Sequence, residues 1–370
     1  MACVKALFEV GCPLKETLAL WTSTQVREAI KKIAFGETFI PQELTLGLPD
    51  PQTEVSVWLH GAGAPMDVTQ RHSIVCAAPM TICVGFGSGQ LPDPDQNDLS
   101  RIKLTLNRRD GAKQILGEIG LKLKSVIFRD KTHFALFEPC CSRNFCLSRA
   151  QLCAHYLLHG HRQRRHDNTN GISMTFLERR ATMVMFIRPH PIVLASVGSR
   201  DNGNLFPMNL FGDLGEGYFG FALRRERVVG QLVENAGRIA MSTIPVSQGA
   251  IPYQLAHNHA KRSIDWNQLS FSTKSSPEFS IPIPNFAVRV RELAIEDISE
   301  IGSHRFFLAK MIRDEVLSEA PALSSIHGFY QSWRLRQIPE RKKELEVSLA
   351  VDALSKRGRH QPSPVRNIQQ

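Results

Sequence analysis

Residues 185–242 read MFIRPHPIVLASVGSRDNGNLFPMNLFGDLGEGYFGFALRRERVVGQLVENAGRIAMS, the most informative stretch of this chain. An apolar segment opened by Arg188-Pro189 leads through the turn Asn202-Gly203 into a second segment that contains Pro207. Asn-Gly between such segments indicates a β-hairpin, and a proline confines its strand to an edge or a bulge. Backbone amides left unpaired there are available to a ligand. On these residues alone, a plain hairpin with a blunted edge strand is the favoured interpretation.

The same stretch continues into a strand and a helix. The apolar run Phe219–Leu223 ends in Arg224-Arg225-Glu226-Arg227, and the spacing that follows predicts an amphipathic helix from about Glu226 until Gly237 ends it. Further on, strands are expected at 287–295 and 305–312, with a second helix over 252–263. Antiparallel-looking strands with one clear helix favour a closed or partly closed barrel over a parallel sheet.

Length and composition set the broad class of the protein. The chain has 370 residues, 42% of them hydrophobic, which is enough for two domains with substantial cores. No apolar run approaches the roughly 20 residues that span a bilayer, and the N-terminus lacks a secretory signal pattern. We therefore expect a cytoplasmic protein without a membrane partner. All eight cysteines lie in the first half and are expected to be free thiols.

The domain organisation follows from breaks in the pattern. A helix is expected from Ser148 to Arg165, and Asp167–Gly171 then interrupts it. The predicted division is an N-terminal accessory domain over 1–171, a barrel over 172–335 and a basic, disordered tail over 336–370. The layout of 121–126 and His133–Glu138 around a turn resembles that of 288–293 and His304–Ala309. This weak echo favours a duplicated barrel less than it favours two ordinary strand pairs.

In order and spacing, the elements from Arg188-Pro189 to 237–242 resemble the flavin reductase-like domain family, over about residues 180–334. The resemblance implies a mainly β protein with helices (α+β), in which the C-terminal half is an FMN-binding, Greek-key antiparallel split β-barrel. The N-terminal half is then either a divergent, degenerate second barrel or an accessory domain. Such barrels usually dimerise near the flavin, so the resemblance implies a homodimer or an internal pseudo-dimer.

The resemblance also assigns roles to residues. The backbone of a short segment would cradle the flavin ring, and an arginine-rich loop would hold its phosphate. The implied flavin-binding residues are Asn204, Pro207, Met208, Asn209, Leu210, Arg224, Arg225 and Arg227. His304, in a segment resembling the family's Gly-Asp-His, would contact the nicotinamide. The implied activity is NAD(P)H-dependent flavin reduction, with FMN or FAD, NADH or NADPH, and a flavin-dependent monooxygenase as acceptor.

Two departures from the family pattern bear on activity. Glu226 and Val229 stand where Ser or Thr is common, which removes hydroxyl donors from the expected phosphate site. Guanidinium groups bind phosphate well, so the arginines are able to replace them. A solvated strand-to-helix turn explains the arginines equally well. Ser303 replaces the usual acid before His304. These departures keep open the alternative of a flavin-binding protein without turnover.

The remaining charged and sulfur-containing clusters carry weaker signals. The formal charge of +10 suits nucleic acid or a phosphorylated cofactor, but a nucleic-acid-binding function rests on charge alone. His257 and His259 with Lys261 form a small basic patch that fits a nucleotide pyrophosphate or a solvated helix end. Cys140, Cys141, Cys146 and Cys153 lie near histidines without any Cys-x-x-Cys pair. Adjacent cysteines are expected to point apart, so buried free thiols are favoured over a metal site.

Overall fold

The structure is a computed structural model that describes residues 43–48, 54–90, 102–109, 114–153, 155–156 and 172–337. The predicted boundary at Asp167–Gly171 lies outside these residues, and so does the predicted tail beyond Gln337. Among the residues that are described, no helix is long and apolar enough to cross a membrane.

Most of the described chain is antiparallel β-structure. The first half contains β1 (Glu43–Leu48), β2 (Val55–His60), β3 (Met66–Asp67), β4 (His72–Ala77), β5 (Met80–Phe86), β6 (Lys103–Arg108), β7 (Ile115–Arg129) and β8 (Thr132–Asn144). The second half contains β9 (His190–Pro191), β10 (Val193–Gly198), β11 (Gly203–Met208), β12 (Phe211–Gly215), β13 (Tyr218–Arg224), β14 (Arg238–Thr243), β15 (Thr273–Ser275), β16 (Pro282–Pro284), β17 (Arg289–Ile301), β18 (His304–Val316) and β19 (Ala322–His327). The helices whose bounds are defined are α1 (Phe176–Met185), α2 (Val228–Ala236), α3 (Ile251–Leu255) and α4 (Gly328–Gln337), with 3-10 turns at Val246–Gln248, Ala256–Ala260 and Trp266–Gln268. Residues 149–153 and 155–156 are also helical, within the helix expected from Ser148 to Arg165.

Two seven-stranded sheets have the same strand order. The N-terminal sheet runs β3-β2-β6-β7-β8-β5-β4, and the C-terminal sheet runs β11-β10-β14-β17-β18-β13-β12. Counted along each half, both orders are second, first, fifth, sixth, seventh, fourth and third. This non-sequential antiparallel order is typical of Greek-key connections.

Irregularities of the backbone repeat as well. The β7–β8 hairpin shifts register at Gly120 and Leu123, and the β17–β18 hairpin shifts at Glu292 and Ile295. The two hairpin turns each begin with a left-handed residue, Asp130 at φ 49° and Gly302 at φ 50°. Each of these three features recurs 172 residues further along the chain (120 to 292, 123 to 295, 130 to 302). Bulges are structural features that related folds keep, so the shared strand order and irregularities indicate two copies of one fold, the interpretation that the sequence echo favoured less.

The structure also corrects the alignment suggested by the sequence echo. Arg129 pairs with Thr132 across the first turn, and Ile301 pairs with His304 across the second. The counterpart of His304 is therefore Thr132, one residue before the histidine that the sequence layout placed there. The layout was matched on the two histidines, whereas the turns fix the register.

Each sheet rolls around one core. In the C-terminal half, all seven strands contribute to a single apolar cluster, which includes Val193, Phe206, Phe221, Leu293 and Phe307. Helix α2 adds Val229 and Val233 to this cluster. A sheet whose seven strands share one interior must curl, which makes the C-terminal half a split β-barrel with α2 packed on it.

The other face of each barrel forms the contact between the halves. Along β18, Phe307 faces the barrel interior while Phe306 and Leu308 face the N-terminal sheet, as the period of two requires. Their counterparts Phe134 and Leu136 on β8 lie in the same interfacial cluster. A Cβ at Gly212 would overlap the His72 carbonyl, so glycine allows this close approach. In an isologous interface, equivalent residues of two subunits contact each other. Here the two halves of one chain meet in this way.

Two helices differ from the sequence-based expectation of one clear helix in 172–333. Helix α1 covers 176–185, where Thr175 and Glu178 form a capping box, and strand structure begins only at His190. Helix α4 follows β19, which pairs with β1 of the first half. Both helices pack against the N-terminal core. The predicted helix over 252–263 is also too long, because α3 spans five residues and a 3-10 turn follows it.

Candidate functional site

The predicted flavin platform begins on β11, where Asn204 is fully buried. Its side-chain amide donates to the carbonyls of Asn258 (3.0 Å) and Lys261 (2.7 Å). The Asn258 side chain in turn donates to the Leu205 carbonyl at 2.9 Å. These bonds attach the 256–260 turn to the edge strand. Asn204 thus positions neighbouring backbone, and its role as a direct flavin contact stays a prediction.

The segment from Pro207 to Leu210 joins β11 to β12. The Pro207 carbonyl accepts a hydrogen bond from His259 Nε2 at 2.8 Å. Met208 is buried, Asn209 and Leu210 are half-buried, and the Leu210 carbonyl accepts from the Ala222 N–H at 3.0 Å. This pairing places the segment beside the end of β13. The irregular backbone expected from Pro207 is therefore located next to the arginine loop.

The arginine loop follows β13 directly. Arg224 is the last residue of the strand, and Arg227 is the N-cap of α2 but makes no side-chain cap hydrogen bond. Burial and the nearby Arg227 lower the pKa of Arg224 from its ordinary value. Crowded guanidinium groups at a helix N-terminus make this a favourable place for an anion.

A cavity of about 520 Å³ opens beside this loop. Its lining is formed by Ile172, Arg224, Arg225, Glu226, Glu300, Gly302, Ser303 and Arg305. Arg225 is paired with Glu300 at 2.7 Å, and Arg305 is paired with Glu234 at 2.7 Å. Two of the lining arginines are therefore partly neutralised. Arg224 lies near enough to two histidines, His259 and His304, to lower the pKa of each.

The two histidines beside Arg224 are both held neutral. The pKa of His259 is lowered by burial and by Arg227 and Arg224, against the opposing effect of its bond to Pro207. Burial and Arg224 lower the pKa of His304 to about 4. His304 lies directly opposite Arg224 in the sheet register. The fold thus brings Pro207, Arg224, Arg227 and His304 into one region, together with His259.

His304 is held by the N-terminal half. Its Nδ1 lies 2.9 Å from Ser303 Oγ and accepts from the Ala77 N–H at 3.4 Å, while Cys76 Sγ is 3.8 Å away. Ser303 Oγ itself accepts from the Ala78 N–H at 3.2 Å. An accepting Nδ1 assigns the ring proton to Nε2. The histidine is only 3% exposed, and its contact with a nicotinamide stays a prediction.

His259 is the site residue that the sequence did not single out. It occurred there only as part of a basic patch, because its spacing from Pro207 carries no motif. The 3-10 turn at 256–260 places it under Pro207, where Phe206 packs against its ring with centroids 5.0 Å apart. The long-range bonds of Asn204 and Asn258 help to fix this position.

A larger cavity, of about 710 Å³, lies at the opposite end of the C-terminal barrel and contains none of the predicted site residues. Arg289 and Arg291 line it and both pair with Asp314. The counterparts of Arg289 and Asp314 in the first half are Gly117 and Ser142. There α1 fills the space, since Arg180 donates to the Ser142 carbonyl at 2.7 Å and Val184 approaches Gly117. The duplicated barrels therefore differ at this end.

This chain is similar over part of its length to several solved structures. One is an FMN-binding protein from Thermus thermophilus with bound 1-cyclohex-2-enone, at 21% identity over 35% of this chain and 71% of that chain, with a TM-score of 0.31. Another is an NADH:FAD oxidoreductase from Streptomyces globisporus, at 18% identity over 41% and 89%, with a TM-score of 0.36. A third is the styrene monooxygenase flavin reductase from Pseudomonas putida S12, at 15% identity over 37% and 87%, with a TM-score of 0.31.

No protein-family profile matches this chain, and no curated protein is significantly similar to it. The assignment as a split barrel rests on the strand order and the shared core of this chain itself.

Proposed function

We propose that this chain binds a flavin nucleotide, FMN or FAD, beside Arg224, and that it catalyses NAD(P)H-dependent flavin reduction. The observation that carries the proposal is the meeting of Arg224, Arg227, His259 and His304 beside the Pro207–Leu210 segment. In this proposal residues 172–335 carry the flavin site. The N-terminal half stands where a second subunit would, and a flavin-dependent monooxygenase is the acceptor of the reduced flavin.

The phosphate of the nucleotide would bind at the start of α2. Arg227 at the N-cap makes no side-chain cap hydrogen bond, so no capping side chain competes with an anion at the start of α2. Arg224 adds a guanidinium group whose charge is opposed by burial and by Arg227. A bound phosphate relieves this repulsion. The site supplies by charge what the missing Ser and Thr hydroxyls would supply by hydrogen bonds.

The flavin ring would lie against the segment that follows β11. Backbone groups of Met208, Asn209 and Leu210 are the proposed contacts, and the His259 bond fixes the Pro207 carbonyl. When bound, the flavin supplies the hydride acceptor, while the protein supplies position and electrostatics. Hydride transfer depends on proximity and alignment. Neutral His304 holds its proton on Nε2, so it acts as a hydrogen-bond donor and not as a cation at neutral pH.

Flavin binding without turnover is the second candidate function. The burial of His304 under Cys76, Ala77 and Ala78 favours it, because a nicotinamide contact needs the ring to be reachable.

The decisive experiment combines spectra with turnover. Purified protein is titrated with FMN and FAD while the visible spectrum is recorded, and oxidation of NADH and NADPH is then followed at saturating flavin. Binding with oxidation supports the reductase, and binding without oxidation selects the second candidate. No spectral change at micromolar protein would rule out both.

A further inference from the structure

Cys140 and Cys141 on β8 lie at a β-bulge. Gly120 of β7 pairs with Cys141, and Leu121 pairs with Pro139, so Cys140 is the extra residue between two pairs. In a regular strand, adjacent side chains point to opposite faces. The bulge breaks that alternation because two residues oppose a single one. Both cysteines are exposed as free thiols, contrary to the expectation that they point apart and are buried.

Gly120 shows that the two sulfur atoms converge. A Cβ built on Gly120 would lie 2.6 Å from Cys141 Sγ and 3.0 Å from Cys140 Sγ. Both sulfurs therefore occupy the space that a side chain at position 120 would take. The absence of a side chain on Gly120 is what leaves room for the pair.

The duplicated half shows which part of this arrangement belongs to the backbone. The equivalent bulge in β18 holds Ile312 and Arg313 opposite Glu292, and both of these side chains are also exposed. The shared bulge thus directs two adjacent side chains outward in either barrel. Only the N-terminal barrel combines it with two thiols and a glycine.

We propose that Cys140 and Cys141 form a two-thiol site for a soft, thiophilic centre of the class of trivalent arsenicals. With an arsine oxide, both thiols lose their protons, two As–S bonds form, and the As–O bonding is lost as the oxygen leaves with both protons as water. Arsenic stays trivalent, so no oxidant or reductant is needed. This site is separate from the proposed flavin function, since it lies at the other end of β8 from the Thr132 turn.

Three other chemistries suit the pair less well. The Cα atoms of adjacent residues are about 3.8 Å apart, which is shorter than the roughly 4.4–6.8 Å of ordinary disulfides. A bridging atom removes that constraint. A structural zinc site uses four ligands, two more than this pair supplies. Partial burial and the neighbouring Cys141 thiol raise the pKa of Cys140, so simple alkylation at neutral pH should be slow.

The test uses the full chain and phenylarsine oxide. Protein is exposed to the arsenical and then to excess 2-mercaptoethanol, which competes with single thiols, and the adduct is located by intact mass and peptide mapping. We expect one arsenical per chain, on the peptide that contains Cys140 and Cys141. Cys140→Ser and Cys141→Ser should each weaken retention by roughly 100-fold or more, because the second bond is no longer intramolecular. Cys153→Ser, which removes an exposed single thiol, is the matched control and should retain the adduct.

Gly120→Ala tests the geometry with both thiols present. The added methyl enters the space of both sulfurs, and Glu292 at the equivalent position shows that this backbone accepts a side chain. With an unchanged melting temperature, weaker retention by Gly120→Ala supports the proposal. Release of the arsenical from the wild type by 2-mercaptoethanol, or full retention by either serine variant, overturns it.

Discussion

Replacing Arg224 with alanine distinguishes two roles for this residue: binding the flavin phosphate, or forming part of a solvent-exposed strand-to-helix turn. Arg224 ends β13 beside the N-terminus of α2. A hydrogen bond to a charged group contributes about 1.5–3 kcal/mol. If Arg224 holds the flavin phosphate, Arg224→Ala should raise the Kd for FMN by roughly 10- to 150-fold. Riboflavin lacks the phosphate, so its Kd should change by no more than about 2-fold on the same reasoning.

The assay is fluorescence titration of FMN and riboflavin with wild type, Arg224→Ala and a control. Arg313→Ala is the matched control, because it removes the same charge from an exposed arginine near the far end of β18. Equal weakening of FMN and riboflavin by Arg224→Ala would refute a phosphate contact. Weakening of FMN by Arg313→Ala as well would show that net charge alone is responsible.

The same variant has a second readout that does not depend on flavin. Burial is the larger cause of the low pKa of His304, and Arg224 is the smaller one. Removing Arg224 should therefore raise that pKa above about 4 while leaving it below the ordinary value of 6.5. An NMR titration of the histidine ring measures this. No change in the His304 pKa would contradict the placement of Arg224 beside it.

Four further outcomes are expected. Phe134→Ala and Phe306→Ala, at equivalent interface positions, should each lower the free energy of unfolding by about 3–5 kcal/mol in urea denaturation; a loss below about 1 kcal/mol from either would contradict their burial. Glu54→Ala should lower the free energy of unfolding by about 3–5 kcal/mol, because the guanidinium of Arg334, which is only 1% exposed, loses the carboxylate that lies 2.6 Å away. An unchanged midpoint of urea denaturation would argue against that ion pair. The pKa of His304 is about 4 in the folded protein and 6.5 at its ordinary value, so the unfolded chain binds the proton first and the free energy of unfolding should fall as the pH drops from 6.5 to about 4. His304→Asn should flatten the slope of the free energy of unfolding against pH by up to one proton, and an unchanged slope would contradict the pKa shift. Flavin titration should saturate at one flavin per chain, and two equivalent sites would contradict the divergence of the halves.

The sequence predicted those features that depend on local spacing. The Asn202-Gly203 turn and the apolar run Phe219–Leu223 predicted a hairpin and a strand because a turn dipeptide and a short apolar run are local signals. Helix α1 was not predicted, although the sequence contains its capping box at Thr175 and Glu178. The packing of α1 on the first barrel could not be predicted, because it depends on contacts between residues far apart in sequence.

The parts of the sites that depend on long-range or irregular structure could not be read from spacing. His259 reaches Pro207 because two asparagine side chains attach a 3-10 turn to β11. Cys140 and Cys141 face the same way because one extra residue shifts the register against Gly120. A bulge leaves no mark in an alternating pattern. The burial of His304 likewise comes from the first half, which its own segment cannot show.

Duplication explains why a single flavin is expected in a chain with two barrels. The registers equate Gln70 and Arg71 of the first half with Asn209 and Leu210 of the platform. Arg71 donates hydrogen bonds there to Gln90 and to Glu216 of the second barrel. Thr132 stands where His304 does in the second half. The first barrel has kept the strand order and the interface, whereas residues at positions equivalent to the proposed flavin site differ, and one flavin per chain is therefore predicted.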